Sequence, residues 1–407
     1  MLPRRCTPTS TTLLATSLLV APLALAAGVL TGCGSTPASR VTADSGPGAD
    51  YQTGYPVEPG HARELGYDVR WVHALPLEPG QSVAHVFEDE GTLLAVETPV
   101  NVVTAMDPDT GATLWKTVVG SRLEMVVGMT SDDRSVYVNT TTRVFKLARR
   151  GGAVKATADL EYPVNASPLK IGRLAIFGAD VGNVFAHHLD DGYTKWAYRL
   201  GSPIRAAAAL AQRELFAVDA AGRYAMLDTA TGSLLWRGQF YAGVSADPIV
   251  HEGFVIVASE DQSLYSLEQV NGKDRWPAFR SEVRLTRTPL AHGSRIFLNE
   301  PGVGLSVIDA ETGETVWRFG GDVRPVVADD RAVLTRGTGV LALLSAADGA
   351  VLKSVPTRRL QSARSDDAGR LLVCSEDGEL MRLSPAAAMA ADPAVIAAPA
   401  ADGAPEP

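Results

Sequence analysis

Cysteine is scarce in this chain: Cys6, Cys33 and Cys374 are its only three among 407 residues. Three thiols cannot build a disulfide scaffold or a cysteine-ligated zinc site. An excess of positive charge is missing as well. The chain has 37 Lys and Arg against 46 Asp and Glu, a net charge of −9, which argues against nucleic-acid binding driven by phosphate contacts. Only one long apolar run occurs, from Leu13 to Leu30, and the body of the chain lacks the 3.6-residue periodicity of amphipathic helices. What is there is globular: 46% hydrophobic and 20% charged residues exclude wholesale disorder and collagen. The length exceeds one ordinary hydrophobic core, so the chain is either several domains or a repeat array that grows by addition.

The apolar run follows Arg4 and Arg5 and ends at Leu30-Thr31-Gly32-Cys33. A short basic region before an apolar one is a secretion signal, and its end resembles the lipobox of bacterial lipoproteins. That resemblance implies a signal peptide over residues 1–32, cleavage before Cys33 and acylation of its thiol. An uncleaved membrane-spanning helix is the alternative, but Pro22 interrupts the run and a polar segment follows it. Cleavage would remove Arg4, Arg5 and Cys6, taking the net charge to −11. Lipid on Cys33 would leave Cys374 as the single free thiol, which avoids mispairing in an oxidising compartment. Residues 33–62, rich in Gly, Pro, Ser and Thr, are expected to tether the domain to the membrane. Residues 386–407 are Ala/Pro-rich and expected to be a disordered tail.

Residues 63–385 are self-similar. Trp115, Trp196, Trp236, Trp276 and Trp317 each close a segment such as Met226-Leu-Asp-Thr-Ala-Thr-Gly-Ser-Leu-Leu-Trp236. A glycine precedes the closing residue by four: Gly111, Gly151, Gly192, Gly232, Gly272, Gly313 and Gly349, with Lys155 and Lys353 closing the second and seventh segments. Successive glycines are 40, 41, 40, 40, 41 and 36 residues apart. Each unit reads as four short antiparallel strands. In the unit ending at Trp236 these are Ile204–Leu210, Glu214–Val218, Arg223–Leu227 and a strand starting at Leu234, separated by Gly/Asp turns. The terminal Trp is large enough to fill the wedge between neighbouring sheets. The architecture expected is all-β, an eight-bladed β-propeller of four-stranded antiparallel blades. Three strands follow Lys353 without a fourth, and Tyr67-Asp-Val-Arg-Trp71 has the Trp without preceding strands, so this N-terminal strand is expected to close the eighth blade and remove open edges.

The unit D-x-x-T-G-x-x-x-W resembles the pyrroloquinoline-quinone (PQQ) repeat, from about Asp68 to Leu383. Two branches of that family matter: the quinoprotein dehydrogenases, and the cofactor-free BamB-type lipoproteins of outer-membrane assembly. The dehydrogenase pattern needs adjacent cysteines and long insertions that carry calcium ligands and an Asp base. This propeller has only Cys374 and follows its repeat without such insertions, so no cofactor and no catalysis are expected. The histidines offer no constellation: His187 and His188 are neighbours on one strand and point to opposite faces. His251 and His292 fall in corresponding turns. Asp107, Asp109, Asp228, Asp309 and Glu311 recur because the turn recurs. The reading is a protein-binding scaffold anchored by lipid to the cell envelope, facing the periplasm from the outer membrane in a two-membrane host, with partners in a β-barrel assembly complex and a monomer outside it. A PQQ-dependent enzyme or a sensor propeller binding a ligand in its central channel is the alternative. Aligning the repeats on the turn glycine puts Arg205, Arg284 and Arg324 in one column at the starts of inner strands, with Arg287, Arg359 and Arg364 close in sequence. They are expected to form a basic arc for an acidic segment or another anionic group.

Overall fold

Each unit of about 40 residues folds into one four-stranded antiparallel sheet, and eight such sheets are present. The computed structural model describes residues 54–386 apart from Glu90 and Asp367. The expected signal peptide, Cys33, the tether up to residue 53 and the tail beyond 386 lie outside the described residues. Blades 1 to 7 span 82–118, 126–159, 169–199, 209–239, 249–280, 290–320 and 324–356. Blade 8 combines Leu360–Ser365, Leu371–Ser375 and Glu379–Pro385 with Tyr67–Ala74, which pairs antiparallel to the last of these.

Blade 4 shows how the sequence makes a blade. Its second strand is Glu214–Val218, its third Arg223–Asp228 and its fourth Leu234–Gln239. The inner strand is only Ala209–Ala211, shorter than the apolar run from Ile204. The run's first residues bond elsewhere: Ile204 N donates to Ala179 O of blade 3, and Ala207 N donates to Asp247 Oδ1 of blade 5. The two middle strands of a blade are covered on both faces by neighbouring blades, so their apolar residues run on without alternation, as in Phe254–Ser259. Outer strands have one covered face and alternate, as in Thr113–Val118.

The repeated Trp and Gly form one joint. In six blades the third-to-fourth strand pairing shifts register just before the Trp position, for example between Val307 and Ile308 opposite Trp317. Such bulges re-aim a side chain. Trp317 Nε1 donates to Ala346 O of blade 7 at 2.9 Å, and its ring lies where a Cβ on Gly349 would come within 2.5 Å. Gly349 has φ +73°, so glycine is required there both for the turn and for the ring above it. Trp71, Trp115, Trp196, Trp236 and Trp276 make the same bond to the following blade. The glycine beneath Trp115 is Gly152, and the residue opposite Lys146, in the Trp register of blade 2, is Ala156. The repeat therefore passes through Gly152 and Ala156 rather than Gly151 and Lys155: Gly152 N donates to Ala148 O as Gly111 N does to Asp107 O, so the second of the two adjacent glycines holds the turn position.

Two seams lack the Trp: blade 2 to 3, where Ala156 stands, and blade 7 to 8, where Lys353 stands. At the second, residues 54–66 fill the place. This stretch, expected largely as tether, includes a helix over Pro59–Glu64 with proline in its first turn. Val57, Ala62 and Leu65 are fully buried against Leu341 and Val355 of blade 7 and Leu371 and Leu383 of blade 8. Between blades 8 and 1, Cys374 is buried with Trp71, Val83 and Leu93, and burial pushes its thiol up to about 11. Arg382, almost wholly buried in blade 8, reaches Glu88 of blade 1 at 2.6 Å.

Candidate functional site

The connections from each outer strand to the next inner strand lie at the same end of the ring as the turns between second and third strands. Backbone bonds from Leu200 to Gly182, Phe240 to Gly222 and Thr357 to Gly339 tie the two sets together. This end carries the exposed apolar residues Leu123 (97% exposed) and Met125 between blades 1 and 2, Val181 in blade 3, Tyr241 (90%) between blades 4 and 5, and Val303 in blade 6. Their loops are short and held by polar bonds. Glu124 accepts from Ser121 N and from the Arg143 guanidinium, and these bonds hold its carboxyl below the usual range.

At the same end, between blades 7 and 8, a cavity of about 360 Å³ is lined by Asp322, Arg324, Arg336, Gly337, Thr338, Gly339, Arg359, Leu360 and Glu376. Arg324 opens the inner strand of blade 7, and Arg336, opposite it, nears the end of the second. Arg287 adjoins them and pairs with Asp322 at 2.8 Å. Arg359, held at φ +44°, pairs with Glu376 and Asp377 at 3.1 and 2.5 Å. Arg336 donates to the Gln361 carbonyl. The Arg324 guanidinium has no hydrogen bond or ion pair among the described residues. Desolvation and then the Arg287 charge lower Arg324; desolvation and then the charges of Arg324 and Arg287 lower Arg336.

Of the three arginines expected in the arc, Arg324 lines this cavity. Ala207 N bonds Asp247, and Asp247 N bonds the Thr288 hydroxyl, which fixes the equivalence of these three positions. Counting back, Arg205 matches Ser245 and Thr286, not Arg284. Arg284 stands two residues before the matching position, so it does not share the column of Arg205. Arg205 and Arg284 are exposed and do not line the cavity. Sequence reasoning missed Arg336, which sits at a second-strand end where no column was drawn. Arg364 of blade 8 donates to Val86 O and senses His85 of blade 1 and Asp247 of blade 5, so it faces the central channel. Desolvation raises the Asp247 carboxyl, and Arg364 partly offsets this.

Most of the other singled-out residues have structural partners. Asp107, Asp228 and Asp309 each accept from two backbone N–H groups of their own turn. His251 Nε2 lies 2.6 Å from Gly293 O, and His292 Nε2 lies 3.2 Å from Asp330, each bridging to the next blade. His187 is buried with neither ring nitrogen partnered, and desolvation lowers its pKa. Among the described residues no group of three or more His, Cys, Asp or Glu could hold a metal ion.

Comparison with known proteins gives a family match. The model described as "Outer membrane protein assembly factor BamB" matches residues 99–208, 180–319 and 303–390. Curated relatives with that name include one from Moranella endobia, 22% identical over 243 residues, covering 56% of this chain and 62% of the relative. Another, from Yersinia pestis, is 22% identical over 262 residues, covering 59% and 66%. The chain thus matches less than two thirds of the length of these relatives. Among solved structures, BamB from Moraxella catarrhalis superposes with TM-score 0.63 at 19% identity, covering 78% of this chain and 97% of that one. The computationally designed protein Ika8 superposes with TM-score 0.62 at 12% identity, covering 77% and 98%. At these identities the structural likeness shows the fold, and a designed neighbour underlines that the fold alone carries no function.

Proposed function

The chain belongs to the outer membrane protein assembly factor BamB family, and from that premise we propose that it is a non-catalytic protein-interaction scaffold for the assembly of outer-membrane β-barrel proteins, lipid-anchored through Cys33 and facing the periplasm. The observation that carries the reading is the loop end of the ring, where Leu123 and Tyr241 stand almost wholly exposed on short, bonded connections. Exposed apolar side chains on a rigid platform suit burial against a protein partner. Arg324 contributes positive charge at the same end of the ring, between blades 7 and 8; Arg205 and Arg284 are proposed as exposed rim charges only.

Affinity purification from detergent-solubilised envelopes tests the reading. The full chain is expected to recover a β-barrel assembly protein, and a Leu123→Asp/Tyr241→Asp variant about tenfold less of it. Undiminished recovery, or recovery of no such protein, overturns the proposal. Cys33→Ala is expected to abolish acyl labelling; normal labelling of that variant would remove the anchor.

A further inference from the structure

We propose that the cavity between blades 7 and 8 is a binding site for a small anion carrying two or more oxyanion groups, phosphate or carboxylate. Three arginines line it, Arg324, Arg336 and Arg359, and the charge of a fourth, Arg287, reaches Arg324 and Arg336. Three carboxylates accompany them, and their distribution is uneven. Asp322 is engaged by Arg287 at 2.8 Å and also accepts from Asn299. Glu376 and Asp377 are both engaged by Arg359. No carboxylate pairs with Arg324 or Arg336.

Like charges held close in a partly dehydrated recess repel, and each guanidinium there feels the others. Arginines that serve only the fold are ordinarily neutralised by carboxylates, as Arg223 is by Asp219 at the corresponding turn of blade 4, at 2.9 Å. In blade 7 Gly337 stands at the place of that buried carboxylate, and open space of about 360 Å³ is lined by Arg324 and Arg336, neither of which pairs with a carboxylate. A guanidinium presents its N–H groups as a planar fork that matches two oxygens of a phosphate or carboxylate. Two forks on adjacent strands, Arg324 and Arg336, match two oxyanion groups on one molecule, and Thr338 lines the same cavity. The volume admits a pyrophosphate or a compact polycarboxylate and excludes a folded domain. The site stands apart from the exposed apolar residues Leu123 and Tyr241, so it does not depend on the scaffold reading.

Isothermal titration of the full chain with pyrophosphate and, separately, with citrate tests this at ionic strength matched with sodium chloride. Saturable one-site binding of at least one anion is expected, and the tighter of the two identifies the phosphate or carboxylate class. Arg324→Gln, at an exposed position, is expected to weaken binding about tenfold or more while leaving the ligand-free melting temperature unchanged. Glu376→Gln, which removes one of the two carboxylates paired with Arg359 and one negative charge lining the cavity, is expected to tighten it. Absence of saturable binding to both anions overturns the proposal. So does affinity unchanged by Arg324→Gln, or binding weakened by Glu376→Gln.

Discussion

Two seams of the ring make the same join by different means. Between blades 5 and 6, Trp276 lies over Gly313, donates to Ala310 O and leaves a cavity of about 10 Å³. Between blades 2 and 3, Ala156 stands in the Trp register, and a cavity of about 390 Å³ opens, lined by Asp132, Lys146, Arg173 and Asp190 among others. Charge occupies the second seam. Asp190 binds Lys146 at 2.7 Å and Arg173 at 3.2 Å, and the Lys146 hydrogen bond is the first cause that lowers its carboxyl. One indole both excludes water and makes a directed bond, whereas partly exposed ion pairs contribute little each. The propeller is therefore not equally strong around its circumference, and the 2–3 seam is the weaker of these two.

The largest expected effect is at the strong seam. Trp276→Ala should cost about 3–5 kcal/mol, the range for emptying a buried Trp site, read by chemical denaturation of the variant. A loss below about 1 kcal/mol would show that the indole is incidental and would break the comparison. At the weak seam the change runs the other way. Gly192 has φ +71° and its nearest cross-blade atom is only the Ala158 methyl, so the platform for an indole is already present, with Leu189 O as the equivalent acceptor. Ala156→Trp should gain about 1 kcal/mol, at the low end of cavity-filling changes. A destabilised variant would mean that the ion pairs, not the void, define this seam.

The smallest effect concerns pH. His187 of blade 3 is buried without partners, and its pKa is lowered from the ordinary 6.5 first by desolvation and then by His188. The unfolded chain takes up the proton first as pH falls. The stability present above pH 6.5 is therefore lost progressively below it, towards the lowered folded value. His187→Leu should shrink the difference in unfolding midpoint between about pH 7.5 and about pH 5.5. His73 and His85, lowered in the same way, should leave a remainder. An unchanged difference would exclude His187 as a contributor.

The fold was legible because the signal is local and repeats: a turn glycine recurs in seven segments, and in five of them a Trp follows it by four residues. Elsewhere the pattern misleads. Of the adjacent Gly151 and Gly152 it is the second that holds the turn, which takes Lys155 out of the Trp register, and Arg284 stands two residues before Thr286, the match of Arg205. The helix at Pro59–Glu64 was hidden in a Gly/Pro-rich stretch; Pro59 at its start and the apolar Val57, Ala62 and Leu65 were the available signals. The arginine cavity was only half legible. Arg324 came from the repeat, but Arg336 meets it through strand pairing, and Arg359 through the neighbouring blade.

Cys374 gives the ring a reporter of its own opening. Its sulfur is enclosed where blade 8 meets blade 1, and its acidity is so weak that little thiolate exists near neutral pH. A maleimide or disulfide reagent can reach it only when that seam parts. In a chain whose Cys6 and Cys33 are replaced, the labelling rate would count excursions of this one junction under fully native conditions. Slow breathing of a single joint would thus become measurable as chemistry, without unfolding the other seven blades.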